Sequence, residues 1–252
     1  MSRHLLVIGA QRSGTTYLYK LLDEHPDVAM ARPARPEPKF FLDPQQYARG
    51  LAWYRQTYFD GRTAKLLGEK STSYIESPQA ARRAASMLGS AHVVAVLRDP
   101  VARAISNWQF SVASGLETRT LDVALAENLE GPAAWDPAQT SVSPFAYLER
   151  GHYVDHLEPW HEQFGDMVHV FFTDEITGRD GPALLFRALG VDAGYQPAAA
   201  GVAANASGHP PTPLDADLDA AVRAHFQDSD DRLAALLGRA VPWRTAAHTT
   251  GT

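Results

Sequence analysis

The segment GAQRSGTT, residues 9–16, has the length and glycine spacing of a phosphate-binding loop, yet Thr15 stands where a Walker A loop carries its lysine. Backbone N–H groups of such a loop converge on one point, and the positive end of the following helix dipole adds to their field. Ser13, Thr15 and Thr16 offer hydroxyl donors and Arg12 a planar cation. This is the make-up of an anion site; the bland alternative is a strand-to-helix turn that binds nothing. An NTPase needs cation density on the γ-phosphate and a Mg²⁺ site. Thr16 could ligate Mg²⁺, but the strand-end acid Asp99 sits beside Arg98, an awkward neighbour for a Mg²⁺ ligand.

A second constellation is VVAVLRDPVARAISNW. Arg98 falls at the C-terminal end of a strand, where ligands bind in open parallel sheets, and Ser106 lies about two helical turns further on. Together they could clamp a second phosphate. The alternative is an arginine paired with a surface acid and a serine on a helix face. Glu37, in a proline-rich stretch, reads by itself as a loop acid.

These residues need a scaffold, and the pattern supplies one. Residues 4–8 form a short apolar run, as in a strand buried on both faces. The loop follows, then a helix over 15–25 with Leu18, Leu21 and Leu22 on one face. A loop is expected over 31–44, a helix over 45–58 and a strand over 66–69. Ser77-Pro78 and Asp99-Pro100 are helix starts. Strands are expected at 92–97 and 167–172. The helix after Asp99 would run to about Leu116, with Val101, Ile105, Trp108 and Val112 on one face. Helices are expected over 121–129, over 146–164 with a break near Gly151 or Pro159, and over 182–189. Two more follow, one marked by Leu214, Leu218, Val222 and Phe226 and a short one over 232–237. Strands alternating with helices predict an α/β fold: a single domain, residues 1–252, with a central parallel sheet flanked by helices. Its C-terminal loop and helices would cover about 198–244, with a disordered tail over 245–252.

Composition sets the outer bounds. The 252 residues are 45% hydrophobic and 21% charged, and the net charge of −6 argues against nucleic acid as a partner. There is no cysteine, so thiolate metal sites and disulfides are out, and no metal is expected. No apolar run is long enough for a transmembrane anchor, and the first apolar stretch is too short for a signal peptide; a cytoplasmic protein is expected.

The two phosphate constellations resemble the 5′-phosphosulfate loop and the 3′-phosphate motif of sulfotransferases that use 3′-phosphoadenosine-5′-phosphosulfate. The wider match is to the heparan-sulfate sulfotransferase branch and its bacterial relatives, through LLDEHPDV, EPKFF, GLAWY, GEKSTSYIESP, LRDPVARAISNW and LERGHYVDHLEPW. The resemblance implies a single α/β domain with a P-loop-like first turn. It implies that Gln11, Arg12, Ser13, Gly14, Thr15 and Thr16 hold the phosphosulfate, and that Arg98 and Ser106 hold the 3′-phosphate. Arg12 stands where the family usually has lysine; its fork differs from a point charge. Lys70 matches a lysine near the transferred group, and Glu37 the family's general base. Ser207, Gly208 and His209 stand where the branch has a basic cofactor-closing segment, with a plain loop as the alternative. His25 and His92 are poorer base candidates.

The resemblance thus implies sulfuryl transfer to an acceptor hydroxyl of a sugar, lipid or other natural product. Glu37 would act as base, with Arg12 and Lys70 stabilising charge. Small-molecule or glycan acceptors are the expected partners, and Phe40, Phe41, Trp135 and Phe145 would line an acceptor pocket. Two rivals stand beside this reading: a P-loop kinase or NTPase, and a catalytically inactive nucleotide-binding protein. Oligomeric state is not legible.

Overall fold

The computed structural model describes residues 3–136, 142–201 and 213–245. In chain order these give β1 Arg3–Gly9, α1 Thr15–Glu24, β2 Val28–Met30, α2 Pro44–Tyr47, α3 Gly50–Phe59, β3 Leu66–Lys70, α4 Pro78–Leu88 and β4 Ala91–Leu97. They continue with α5 Pro100–Ala113, α6 Leu121–Asn128, α7 Tyr153–Phe164, β5 Val168–Phe172, α8 Thr173–Thr177, α9 Gly181–Leu189, α10 Ala216–Leu237 and α11 Pro242–Thr245. The strands form one parallel sheet in the order β2-β3-β1-β4-β5. This is the expected α/β class. The described residues fall into two compact units, one within Met1–Leu97 and His156–Ala206, the other within Arg98–Asp155 and Ser207–Thr252.

The first unit holds the sheet. β1 and β4 are apolar along nearly their whole length because both faces are covered; Leu5, Leu6, Val7, Val93, Val94 and Val96 have no exposed surface. Each such side chain contributes about 1.5–3 kcal/mol by leaving water. One face packs on Leu18, Leu21 and Leu22 of α1 and on Leu185, Phe186 and Leu189 of α9. The sequence expected four of these strands. β2 escaped because three residues, VAM, are too few to show a period.

The expected helix over 45–58 is two helices. Asp43 caps α2 by accepting from the N–H groups of Gln45 and Gln46, and Gly50, at φ 79°, breaks the path before α3. α8 is short, and its acids cap its own start, Glu175 accepting from Phe172 N at 2.8 Å.

In the second unit α5, α6 and α10 share a small core of Val101, Ala104, Leu121, Leu125, Val222 and Phe226. α5 corrects the expected face: Val112 is 41% exposed, and the buried side carries Arg103, Ser106, Asn107 and Ser111. Several of these polar groups bond locally, with Ser111 Oγ donating to the Pro144 carbonyl at 2.8 Å and Arg103 to that of Tyr147. The break in 146–164 falls at Gly151, where a Cβ would meet Phe226 Cε1 at 2.6 Å; Pro159 sits inside α7 without ending it. The two expected C-terminal helices are one 22-residue helix, α10, capped by Asp215. Of the expected tail, Thr245 closes α11, and 246–252 lie outside the described residues. Among the described residues no helix is long and apolar enough to cross a membrane.

Candidate functional site

The loop leaves β1 at Gly9 and enters α1 at Thr15. Gly14 is the N-cap of α1 at φ 90°, a left-handed conformation that favours glycine, and it leaves the cap position without a side chain. No acid lies in the first turn of α1, so nothing in the helix answers the positive end of its dipole. Ser13 and Thr15 are buried, and Ser13 Oγ has no hydrogen-bond partner among the described residues. Buried hydroxyls rarely stay unsatisfied. An open helix start beside an orphaned hydroxyl fits an anion of the phosphosulfate type. Arg12 also has a left-handed backbone, at φ 67°. Thr173, which sequence reasoning missed, pins the loop: its Oγ1 lies 3.1 Å from the Ser13 carbonyl and 3.0 Å from that of Leu97 at the end of β4.

Glu37 and Lys70 come together 33 residues apart. Lys70 ends β3 and forms an ion pair with Glu37 Oε1, with both side chains largely buried. Thr72, a second residue the sequence did not single out, donates twice to Glu37 Oε2, from its backbone N at 2.9 Å and its Oγ1 at 3.0 Å. No local pattern could have shown this, since a threonine carries no charge and the contact spans 35 positions.

The segment bearing Thr72 is tied to the root of the loop. Ser71 N donates to the Val7 carbonyl at 3.1 Å and Ile75 N to that of Ile8 at 3.0 Å. A Cβ on Gly9 would stand 2.7 Å from Ile75 Cγ2 and 3.2 Å from the Thr72 carbonyl, so the backbones approach as only glycine allows. Glu37, Lys70 and the loop therefore share the C-terminal end of β1 and β3, the end at which open parallel sheets bind ligands.

In the second unit, Arg98 follows directly on β4. Its carbonyl accepts from the Tyr153 hydroxyl at 2.8 Å, and its guanidinium has no ion pair among the described residues. The acid beside it is already engaged: Asp99 caps α5 through Val101 N at 2.9 Å and pairs with Arg223 at 3.5 Å. Asp99 thus has structural work that a Mg²⁺ ligand would have to abandon. Ser106 lies on the buried side of α5. Ser207, Gly208 and His209 lie outside the described residues.

One expectation changes. Phe40 and Phe41, expected to face an acceptor, are fully buried among Trp53, Tyr54 and Tyr74, with Phe40 stacked on Trp53. The poorer base candidates are structural. His25 bonds the Asp192 carbonyl and accepts from Asp27 N, and His92 pairs with His169 at 3.0 Å.

A parallel α/β sheet whose first turn opens onto a helix start, beside a carboxylate held by lysine and threonine, is an arrangement suited to an anionic group. The chain belongs to the sulfotransferase family: the model of the sulfotransferase domain matches residues 2–174. It is 33% identical over 196 residues to the bifunctional heparan sulfate N-deacetylase/N-sulfotransferase 1 of Caenorhabditis briggsae, a match covering 73% of this chain and 22% of that one. It is 30% identical over 167 residues to the mouse (Mus musculus) heparan sulfate glucosamine 3-O-sulfotransferase 3B1, covering 66% of this chain and 40% of that one. The chain therefore spans well under half the length of these relatives. In fold it is similar to a sulfotransferase from Alicyclobacillus acidocaldarius, with a TM-score of 0.78 at 24% identity over 97% of this chain and 99% of that one.

Proposed function

We propose that the two units act as one sulfotransferase domain that moves a sulfuryl group from 3′-phosphoadenosine-5′-phosphosulfate to an acceptor hydroxyl. That donor supplies an activated sulfuryl group and a phosphate leaving group. The observation that carries the reading is the Glu37 carboxylate, held by Lys70 and Thr72 at the sheet end that bears the anion loop. A carboxylate offers about four lone-pair positions. Lys70 takes one on Oε1 and Thr72 N one on Oε2, while the single proton of the Thr72 hydroxyl lies within reach of both oxygens, at 3.0 Å from Oε2 and 3.3 Å from Oε1; three donors leave one position to receive an acceptor's proton. Glu37 is then the general base. Lys70 and Arg12 stabilise negative charge on the transferring group and its leaving oxygen. Gln11, Ser13, Gly14, Thr15 and Thr16 bind the phosphosulfate, and Arg98 and Ser106 bind the 3′-phosphate.

The heparan sulfate named for both relatives makes a glycan the first acceptor class to test, at a hydroxyl as in the 3-O-sulfotransferase or at nitrogen as in the N-sulfotransferase, with lipids and other natural products beside it. The rival P-loop kinase is disfavoured by the missing loop lysine and by the engagement of Asp99 with α5 and Arg223. The test is ligand-induced stabilisation followed by product mass. Adenosine-3′,5′-bisphosphate without Mg²⁺ should raise the melting temperature more than Mg-ATP at equal concentration. An acceptor library incubated with the donor should yield a product heavier by one sulfuryl group. Equal or greater stabilisation by Mg-ATP would favour the kinase; binding with no product from any acceptor would favour an inactive nucleotide-binding protein.

A further inference from the structure

Glu69 sits one residue before Lys70 in β3, and strand alternation turns the two side chains to opposite faces. Its carboxyl is fully buried and has no cationic partner among the described residues. A buried acid of this kind is costly unless its oxygens are answered. Here the answer is hydroxyls. Ser71 Oγ donates to Glu69 Oε1 at 3.0 Å, while Oε2 has no partner of full hydrogen-bond geometry. Burial pushes the carboxyl's pKa up, and the Tyr54, Tyr74 and Ser71 hydroxyls around it pull the other way.

Two of these hydroxyls face a second way. Ser71 Oγ accepts from Lys39 N at 2.9 Å, and the Tyr74 hydroxyl accepts from Phe41 N at 3.0 Å. The backbone just after Glu37 is thus hung, at alternate residues, from Ser71, which donates to Glu69, and from Tyr74, whose hydroxyl lies near the same carboxyl. The Glu37 carboxylate itself docks on Lys70 and Thr72 of the same segment.

We infer that Glu69 is a positioning residue for Glu37, acting through Ser71 and Tyr74 to fix the 37–41 backbone and, with it, the carboxylate beside Lys70. The inference rests on the reading of Glu37 as base for its catalytic meaning, but its geometry can be tested without any acceptor. Without Glu69 the Ser71 hydroxyl loses the acceptor it donates to, and the Tyr74 hydroxyl loses the carboxyl beside it. The hydrogen bonds from Lys39 N to Ser71 and from Phe41 N to Tyr74 then open more often, and the Glu37 carboxylate samples positions away from Lys70.

The experiment is NMR of the ligand-free chain, with amide hydrogen exchange at Lys39 and Phe41 and the side-chain signals of Glu37 (¹³Cδ) and Lys70 (¹⁵Nζ). Glu69→Gln keeps an oxygen for Ser71 and should leave both readouts near wild type. Glu69→Met fills the space without an acceptor and removes the cost of burying an acid. It should speed exchange at Lys39 and Phe41 at least tenfold and shift or broaden both side-chain signals, with β1 and β4 amides unchanged. Tyr74→Phe and Ser71→Ala cut the other end of the array. They should release Phe41 and Lys39 respectively, and they decide the matter if Glu69→Met does not fold. Wild-type protection and unmoved Glu37 and Lys70 signals in Glu69→Met, or in the Tyr74 and Ser71 variants, would overturn the inference. Glu37→Gln that still transferred sulfuryl groups would instead remove the base and leave these readouts standing.

Discussion

Glu37 commits most of its hydrogen-bonding capacity to this chain's own donors, and that decides what a substitution does. Glu37→Gln keeps the shape but cannot take a proton, and its amide cannot accept from both Lys70 and Thr72 as a carboxylate does. Sulfuryl transfer in a single turnover should fall by roughly 10²–10⁴-fold, the usual weight of general acid–base catalysis, while adenosine-3′,5′-bisphosphate still binds. A near-wild-type rate would return Glu37 to an ordinary loop acid. Arg98 supports a separable prediction because its guanidinium has no ion pair among the described residues. A hydrogen bond to a charged group is worth about 1.5–3 kcal/mol. Arg98→Ala should therefore weaken adenosine-3′,5′-bisphosphate by roughly ten- to a hundredfold and leave adenosine-5′-phosphosulfate, which lacks the 3′-phosphate, almost unaffected. Equal losses for both ligands, measured by calorimetry, would show that Arg98 does not read the 3′-phosphate.

At the scale of elements, the function proposed for the loop depends on the conformation of Gly14. A Cβ there would meet only Thr173 Cγ2, at 3.7 Å, so space is not the obstacle; the backbone at φ 90° is. Gly14→Ala should cost about 1–2 kcal/mol in urea unfolding through left-handed strain and should weaken bisphosphate binding as the loop relaxes. Unchanged stability would mean the loop can adopt another path. What was legible in the sequence follows the same physics. β1, β4 and β5 are apolar runs, and the loop, the Ser77 cap of α4 and the Asp99 cap of α5 are local signals, so they could be read from neighbours in the chain. Glu37 and Lys70 were singled out, each by itself, only through resemblance; their contact with each other and with Thr72 is long-range and was not read. The buried polar side of α5 was misread because Val112 fits the apolar period while Asn107 and Ser111 do not. The burial of Phe40 and Phe41 was missed because a proline-rich loop gives no period to set inside from outside.

For the whole molecule, the two units carry acid-sensitive groups with different windows. In the first unit, burial and Arg55 lower the His4 pKa to about 4, and burial with His169 and Arg3 lowers that of His92 to about 4. A histidine ordinarily titrates near 6.5, so between about 6.5 and 4 the unfolded chain takes up protons that the folded unit refuses. The stability linked to these groups is complete above 6.5 and is lost as pH falls towards 4. In the second unit burial raises the Glu117 pKa, but the Arg119 side chain and N–H, with Tyr147 and Thr118, outweigh it and hold it at about 2. Glu117 therefore keeps its contribution down to its unfolded value near 4.5 and loses it only between there and about 2. Amide exchange followed from pH 7 to pH 3 should show protection in β1 and β4 falling first, while protection in α5 and α6 holds until lower pH. His92→Asn removes one of the groups and should flatten the fall between 6.5 and 4 without moving the lower one; Glu117→Gln should do the reverse. If His92→Asn leaves the upper window unchanged, the His92–His169 contact does not govern the acid response of the sheet.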